Sequence, residues 1–194
     1  MIPKNTAKII MYLLRNTDEL GYNINQIAKL NKISVGSAFK ILKEMEKDKI
    51  IIKKEISNAT HYKLNFDNPE TIKLCELLLL TEKRNLKNQA KIYADEIIKF
   101  KEAEMIIIFG SILKNKEFND IDALFLTNQT KKINNFCLEI TKIRTKPVIP
   151  LIINKKELIK EIKNKKEAIL NIIKEGIVLK GESIFIEAVK NAKS

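Results

Sequence analysis

The chain has 194 residues, 45% of them hydrophobic, which is enough to bury one large core or two small ones and excludes a disordered chain. Lys and Arg number 36 against 24 Asp and Glu, a net charge of +12 that points to a polyanionic partner such as nucleic acid and says nothing of fold. Cys75 and Cys137 lie in apolar contexts (KLCELL and NFCLEI) without spaced partners, which argues against a disulfide framework or a zinc site and fits a reducing cytoplasm.

The opening stretch, MIPKNTAKIIMYLLRN, has an interrupted apolar run and no small-residue cleavage site, so no signal peptide is expected. Apolar runs such as 77–80 and 105–109 are far too short to span a bilayer. A soluble, cytoplasmic protein with no membrane partner is expected.

A first helix is expected to about Asn16, capped by Asn5 or Thr6, with Ile9, Ile10, Leu13 and Leu14 as its buried stripe. A second helix covers 24–30, with Ile27, Ala28 and Leu30 inward, and Asn31-Lys32-Ile33 makes a tight turn. Ser34 is the N-cap of a third helix over 35–47, whose Ala38, Ile41, Leu42 and Met45 face inward and leave Ser37, Lys40, Lys43 and Lys47 outward. Strands over 50–56 and 61–66 flank a polar turn, Ser57 to Thr60. A short helix, a three-residue turn and a longer helix form the layout in which the second helix enters the major groove, so Ser34, Ser37, Lys40 and Lys43 are candidate DNA contacts. Lys53, Lys54 and Lys63 on the hairpin are available to phosphates. Residues 1–66 hold 12 Lys+Arg and 6 Asp+Glu, a net +6 that enriches positive charge in this part. His61, without acids or cysteines around it, reads as a polar residue of the hairpin.

This segment resembles the winged helix-turn-helix domains of bacterial and archaeal transcription regulators, which implies DNA binding; a winged helix used for protein contact or dimerisation is the alternative. From 70 to about 100 the chain holds no Gly or Pro and reads as helical, with a break near 81–83. Leu74, Leu77, Leu78 and Leu80 form a face that would dock two domains or make a dimer seam.

Residues 105–126, MIIIFGSILKNKEFNDIDALFL, read as a strand (105–109), a Gly110-Ser111 turn, a basic excursion and a second strand carrying Asp120-Ile121-Asp122. Alternation along a strand puts Asp120 and Asp122 on one face. Two close carboxylates call for a cation, and oxygen ligands that leave room for water and phosphate suit Mg²⁺. Gly110 lets backbone approach a phosphate, and Ser111 can donate to its oxygens.

These residues resemble the signature of the minimal nucleotidyltransferases of the polymerase-beta-type superfamily. The resemblance implies that Gly110 and Ser111, with Lys114 and Lys116, hold a nucleoside triphosphate, that Asp120 and Asp122 bind Mg²⁺ and are catalytic, and that a later strand supplies a third carboxylate. That strand, 147–154 (PVIPLIIN), carries no acid, and Glu139 and Glu157 are poorly placed to replace it. The loop between Ser111 and Asp120 is also short, and Asn119 stands where a Ser often precedes the first aspartate.

Beyond Leu126 the pattern predicts helix (130–143), strand (148–153), helix (155–162), a helix over 166–175 stopping at Gly176, the apolar run 177–179, and a closing helix over 184–193. The expected whole is a mixed α+β protein: a winged helix-turn-helix over 1–67, a helical linker over 68–100, and a small mixed sheet flanked by helices, nucleotidyltransferase-like, over 101–194. Three functions follow as expectations. The first is a DNA-binding protein that binds Mg-NTP and transfers a nucleoside monophosphate to an acceptor. The second is a regulator whose second domain is an inactive nucleotide sensor or dimerisation module, and the third is a component of a toxin–antitoxin system.

Overall fold

The structure, a computed structural model, describes residues 2–16, 18–56, 58–114 and 117–192. The chain forms two compact units, Met1–Leu78 with Val189–Ser194, and Leu79–Ala188. The division falls inside a helix, so residues 79–100, read from sequence as linker, are counted with the second unit, and Val189–Ser194 with the first.

The first unit contains α1 (Lys4–Arg15), β1 (Tyr22–Asn23), α2 (Ile24–Asn31), α3 (Val35–Lys47), β2 (Ile51–Ile56) and β3 (Ala59–Leu64). β3 lies between β1 and β2 and runs antiparallel to both, which is the winged helix-turn-helix layout. Pro3 is the N-cap of α1 and no side chain caps it; Asn5 and Thr6, expected as caps, lie inside the first turn, because Pro3 already fixes the entry to the helix. Ile9, Ile10, Leu13 and Leu14 are buried as their spacing requires. At the start of α2, the Gln26 N–H donates to Asn23 Oδ1 (3.0 Å) and the Asn23 N–H to Gln26 Oε1 (2.9 Å), a reciprocal capping box. The Ser37 N–H donates to the Ser34 hydroxyl (3.1 Å), so Ser34 caps α3.

Both α2 and α3 stop by the same device. Lys32 (φ 55°) and Lys49 (φ 56°) take the left-handed conformation, and the following N–H groups reach back: Ile33 to the Ala28 carbonyl (3.0 Å) and Ile50 to the Met45 carbonyl (2.8 Å). This closes the orphan carbonyls of the last turn, with lysine where glycine is the usual residue.

α4 (Pro69–Arg84) carries the boundary between the units. Its Cys75, Leu78 and Leu79 are buried, whereas Leu77, expected on the apolar face, is 46% exposed.

The second unit continues with α5 (Asn88–Ile97), β4 (Met105–Phe109), a 3₁₀ turn at Ser111–Lys114, β5 (Ile121–Leu126), α6 (Thr130–Ile143), β6 (Val148–Ile153), α7 (Lys155–Lys163), α8 (Glu167–Glu175), β7 (Ile177–Lys180) and the start of α9 (Glu182–Ala192), whose residues from Val189 are counted with the first. The helical break falls at 85–87, later than the sequence suggests. The sheet order is β6-β5-β4-β7; β4 is antiparallel to β5 and β7, and β5 is parallel to β6.

Alternation sorts the sheet into two faces. Ile106, Ile108, Ile121, Ala123, Phe125, Val148 and Leu179 pack with Tyr93 and Ile97 of α5 and with Ile133, Cys137 and Ile140 of α6 in one buried cluster. The other face carries Met105, Ile107, Phe109, Asp122, Leu124 and Leu151, and α8 packs against β4 there. Gly176 ends α8 with φ −71°, so its role is space: a Cβ there would come within 2.6 Å of the Ile107 side chain and of the Ile172 carbonyl.

β6 is an edge strand. The Ile121 N–H donates to the Pro147 carbonyl and the Thr127 N–H to the Ile153 carbonyl, so odd-numbered residues of β6 face β5 and even-numbered ones face outward. Pro150 falls at an outward position and removes the central donor from the free edge.

Candidate functional site

Phe109, the last residue of β4, is the register partner of Asp122 on β5. The chain then turns at Gly110 (φ +86°), a conformation that L side chains rarely adopt. A Cβ built there would lie 3.2 Å from the Asp122 carboxyl carbon and closer still to its Oδ2. The glycine backbone and the carboxylate are therefore packed face to face. Ser111 and Lys114 follow in the 3₁₀ turn, with the Leu113 N–H donating to the Gly110 carbonyl (3.3 Å). Lys116 lies outside the described residues.

β5 begins at Ile121, so Asp122 is on the strand and Asp120 in the bend before it, not on a common strand as expected. Both are half-buried. Asp122 is held above the usual carboxylate range, first by burial and then by the charge of Asp120, so the two carboxylates do feel each other.

Beside this corner is a cavity of about 370 Å³, lined among others by Phe109, Gly110, Lys114, Leu151, Asn171 and Glu175. Lys114 Nζ lies 2.8 Å from Glu175 Oε2 at the end of α8. Sequence reasoning missed Glu175, since nothing local links it to residue 114. The absence of a third acid on β6 holds in space: Ile149, opposite Asp122, and Leu151 are apolar and 47% and 38% exposed. Glu139 pairs with Lys142, and Glu157 serves the capping box of α7 with Asn154. Among the described residues no group of three or more His, Cys, Asp or Glu side chains is placed to share a metal ion.

In the first unit, the buried residues of α3 are Ala38, Leu42 and Met45. Lys40, Lys43 and Lys47 are exposed, Ser37 is half-buried, and the Ser34 hydroxyl is engaged as the cap. The hairpin register divides its lysines. Lys53 lies across from Tyr62, on the face that carries buried Ile51 and Leu64, and pairs with Glu46 of α3 at 2.8 Å. Lys54 and Lys63 lie opposite His61 and Ile52, on the other face. Lys53 is therefore first a partner of Glu46. His61 Nδ1 is 3.2 Å from the Ala59 carbonyl, a contact within its own strand. Two exposed apolar residues of α3 were not anticipated as surface, Val35 at 47% and Phe39 at 55%.

Among the described residues no helix is long and apolar enough to cross a membrane. No family model matches the chain, and no curated protein does. Among solved structures, the crystal structure of MepR, a transcription regulator of the Staphylococcus aureus multidrug efflux pump MepA, is similar over 50% of this chain and 75% of its own, with 15% identity and a TM-score of 0.38.

Proposed function

We propose that the chain binds duplex DNA through α3 and the β2–β3 hairpin. The observation that carries this reading is the division of α3 into two faces: Ala38, Leu42 and Met45 are buried, while Lys40, Lys43 and Lys47 stand exposed at helical spacing on the opposite side. A cationic helix face beside a hairpin bearing exposed Lys54 is suited to phosphates, and a chain with net charge +12 gains its affinity from releasing their counterions. The test is fluorescence anisotropy of a labelled random-sequence duplex against salt. Lys40→Ala and Lys43→Ala should each weaken binding and reduce the salt slope by about 1. Binding indifferent to salt, or untouched by the double substitution, sinks the reading.

The contact of Gly110 with Asp122 favours a second function for the second unit, binding of a Mg²⁺–nucleoside triphosphate. Two crowded carboxylates, one held above its usual range, are a donor set that a divalent cation would relieve, and Mg²⁺ usually takes one or two carboxylates with water and phosphate in its other positions. Asp120 and Asp122 would hold the ion, which when bound neutralises phosphate charge. Gly110 and Ser111 would face the phosphates, and Lys114 would exchange Glu175 for them. Glu175, the further acid at the cavity, is paired with Lys114, and among the described residues no third acid groups with Asp120 and Asp122, so the reading is of a nucleotide sensor without transfer. Isothermal titration of Mg-ATP, GTP, CTP and UTP into wild type and Asp120→Ala/Asp122→Ala, with a parallel pyrophosphate assay, tests it. Metal-dependent binding lost in the variant, without pyrophosphate, is expected; release of pyrophosphate would make it a transferase, and no binding would overturn the site.

A further inference from the structure

We infer that the DNA read by this chain is selected through thymine 5-methyl groups, contacted by Val35 and Phe39 of α3; the inference rests on the DNA-binding reading above. Val35 and Phe39 are 47% and 55% exposed and lie one helical turn apart on one side of α3. Exposed Lys43 lies one turn on from Phe39, so the apolar pair borders a face whose charges are complementary to a polyanion. A single exposed apolar residue needs no explanation. An aromatic and a β-branched residue paired at helical spacing, between the buried stripe and the lysine face, do.

The composition of the helix narrows what it can read. Its sequence, VGSAFKILKEMEK, contains no Arg, Asn, Gln or His. The side chains that read guanine and adenine by paired hydrogen bonds in the major groove are Arg or Lys and Asn or Gln, and of these α3 has only Lys. Lysine can reach a guanine or a phosphate but as a point charge, without the fork that fixes orientation. The Ser34 hydroxyl is engaged as the helix cap and Ser37 is half-buried. Beside the lysines and Glu44, the outer face offers the apolar surface of Val35 and Phe39 for sequence discrimination. The one apolar group that base edges present in the major groove is the thymine methyl. Lysine contacts thus supply affinity and register, and methyl contacts add a preference for thymine.

The test removes the methyl and nothing else. A random-sequence duplex pool is enriched by binding to the full chain, and the enriched pool is then copied with either thymidine or deoxyuridine triphosphate. Wild type should bind the uracil copy about three- to fourfold more weakly for each methyl contacted, from the worth of one buried carbon. Val35→Ala/Phe39→Ala should bind both copies alike, while Phe39→Leu, which keeps apolar surface, should keep part of the difference; circular dichroism should show all three folded alike. Equal binding of the two copies by wild type, or no enrichment of any sequence, overturns this inference and leaves DNA binding standing. Failure to bind any duplex overturns the DNA-binding reading and this inference with it. A Val35→Ala/Phe39→Ala chain that keeps its preference for thymine but changes its sedimentation coefficient overturns it in favour of a protein contact at Val35 and Phe39.

Discussion

Gly110 and Asp122, twelve positions apart, pack so closely that the turn after β4 has no room for a side chain beside the carboxylate, and the backbone at 110 holds φ +86°. The register pair Phe109–Asp122 brings them together. Two separate costs follow for any larger residue at 110, strain in the backbone and overlap with Asp122.

Gly110→Ala should therefore destabilise the protein by roughly 2–4 kcal/mol, made up of left-handed strain and steric overlap. In an Asp122→Ala background only the strain remains, roughly 1–2 kcal/mol. A double-mutant cycle by urea denaturation reads the difference as coupling. Additive effects would mean that the two residues are not in contact.

Helices α2, α3 and α7 end on left-handed lysines, Lys32 (φ 55°), Lys49 (φ 56°) and Lys165 (φ 52°), the last with the Lys166 N–H on the Glu161 carbonyl (3.0 Å). Glycine adopts this conformation without the Cβ penalty, partly offset by its greater freedom when unfolded. Each Lys→Gly substitution should raise stability by roughly 0.5–1 kcal/mol, or about 2–4 °C per kcal/mol for a chain of this size. Lys→Ala controls should not. Differential scanning calorimetry of the six variants decides the matter.

The Cys137 thiol is pushed up to about 11 by burial among α6 and the sheet, and Cys75 is buried too. Neither should react with Ellman's reagent at pH 8 until denaturant is added, since the thiolate is the nucleophile. The sign for stability follows from linkage. Below its unfolded value the thiol is protonated in both states; as pH rises from that value towards about 11, only the unfolded state loses its proton. Stability should fall across that alkaline window, and Cys137→Ala should fall less steeply in a pH series of urea midpoints.

Pro150 faces outward from the edge strand β6, whose neighbours include exposed Ile149 and Leu151. Restoring an N–H there with Pro150→Val should complete the row of edge donors on an apolar strand and increase self-association relative to wild type. Sedimentation velocity over a range of concentrations measures it. Unchanged behaviour would mean that something other than Pro150 protects the edge.

Periodicity and short-range chemistry determined much by themselves. The limits of α3, β4, α6 and β6 follow from apolar spacing, and the Ser34 cap is readable within a few residues. The tight turn at Asn31–Ile33 was legible, but the lysines that execute it and close α3 and α7 were not, because no propensity singles out lysine for a left-handed position. Only the tertiary structure decided which distant residues meet. It paired Lys53 with Glu46 and Lys114 with Glu175, set Gly110 against Asp122, put β6 at an edge, and left Val35 and Phe39 in solvent. A window of neighbours records which face of an element is apolar. What that face touches, and which apolar residues remain uncovered, depends on how strands register and helices close over the sheet, and those contacts join residues far apart in the chain.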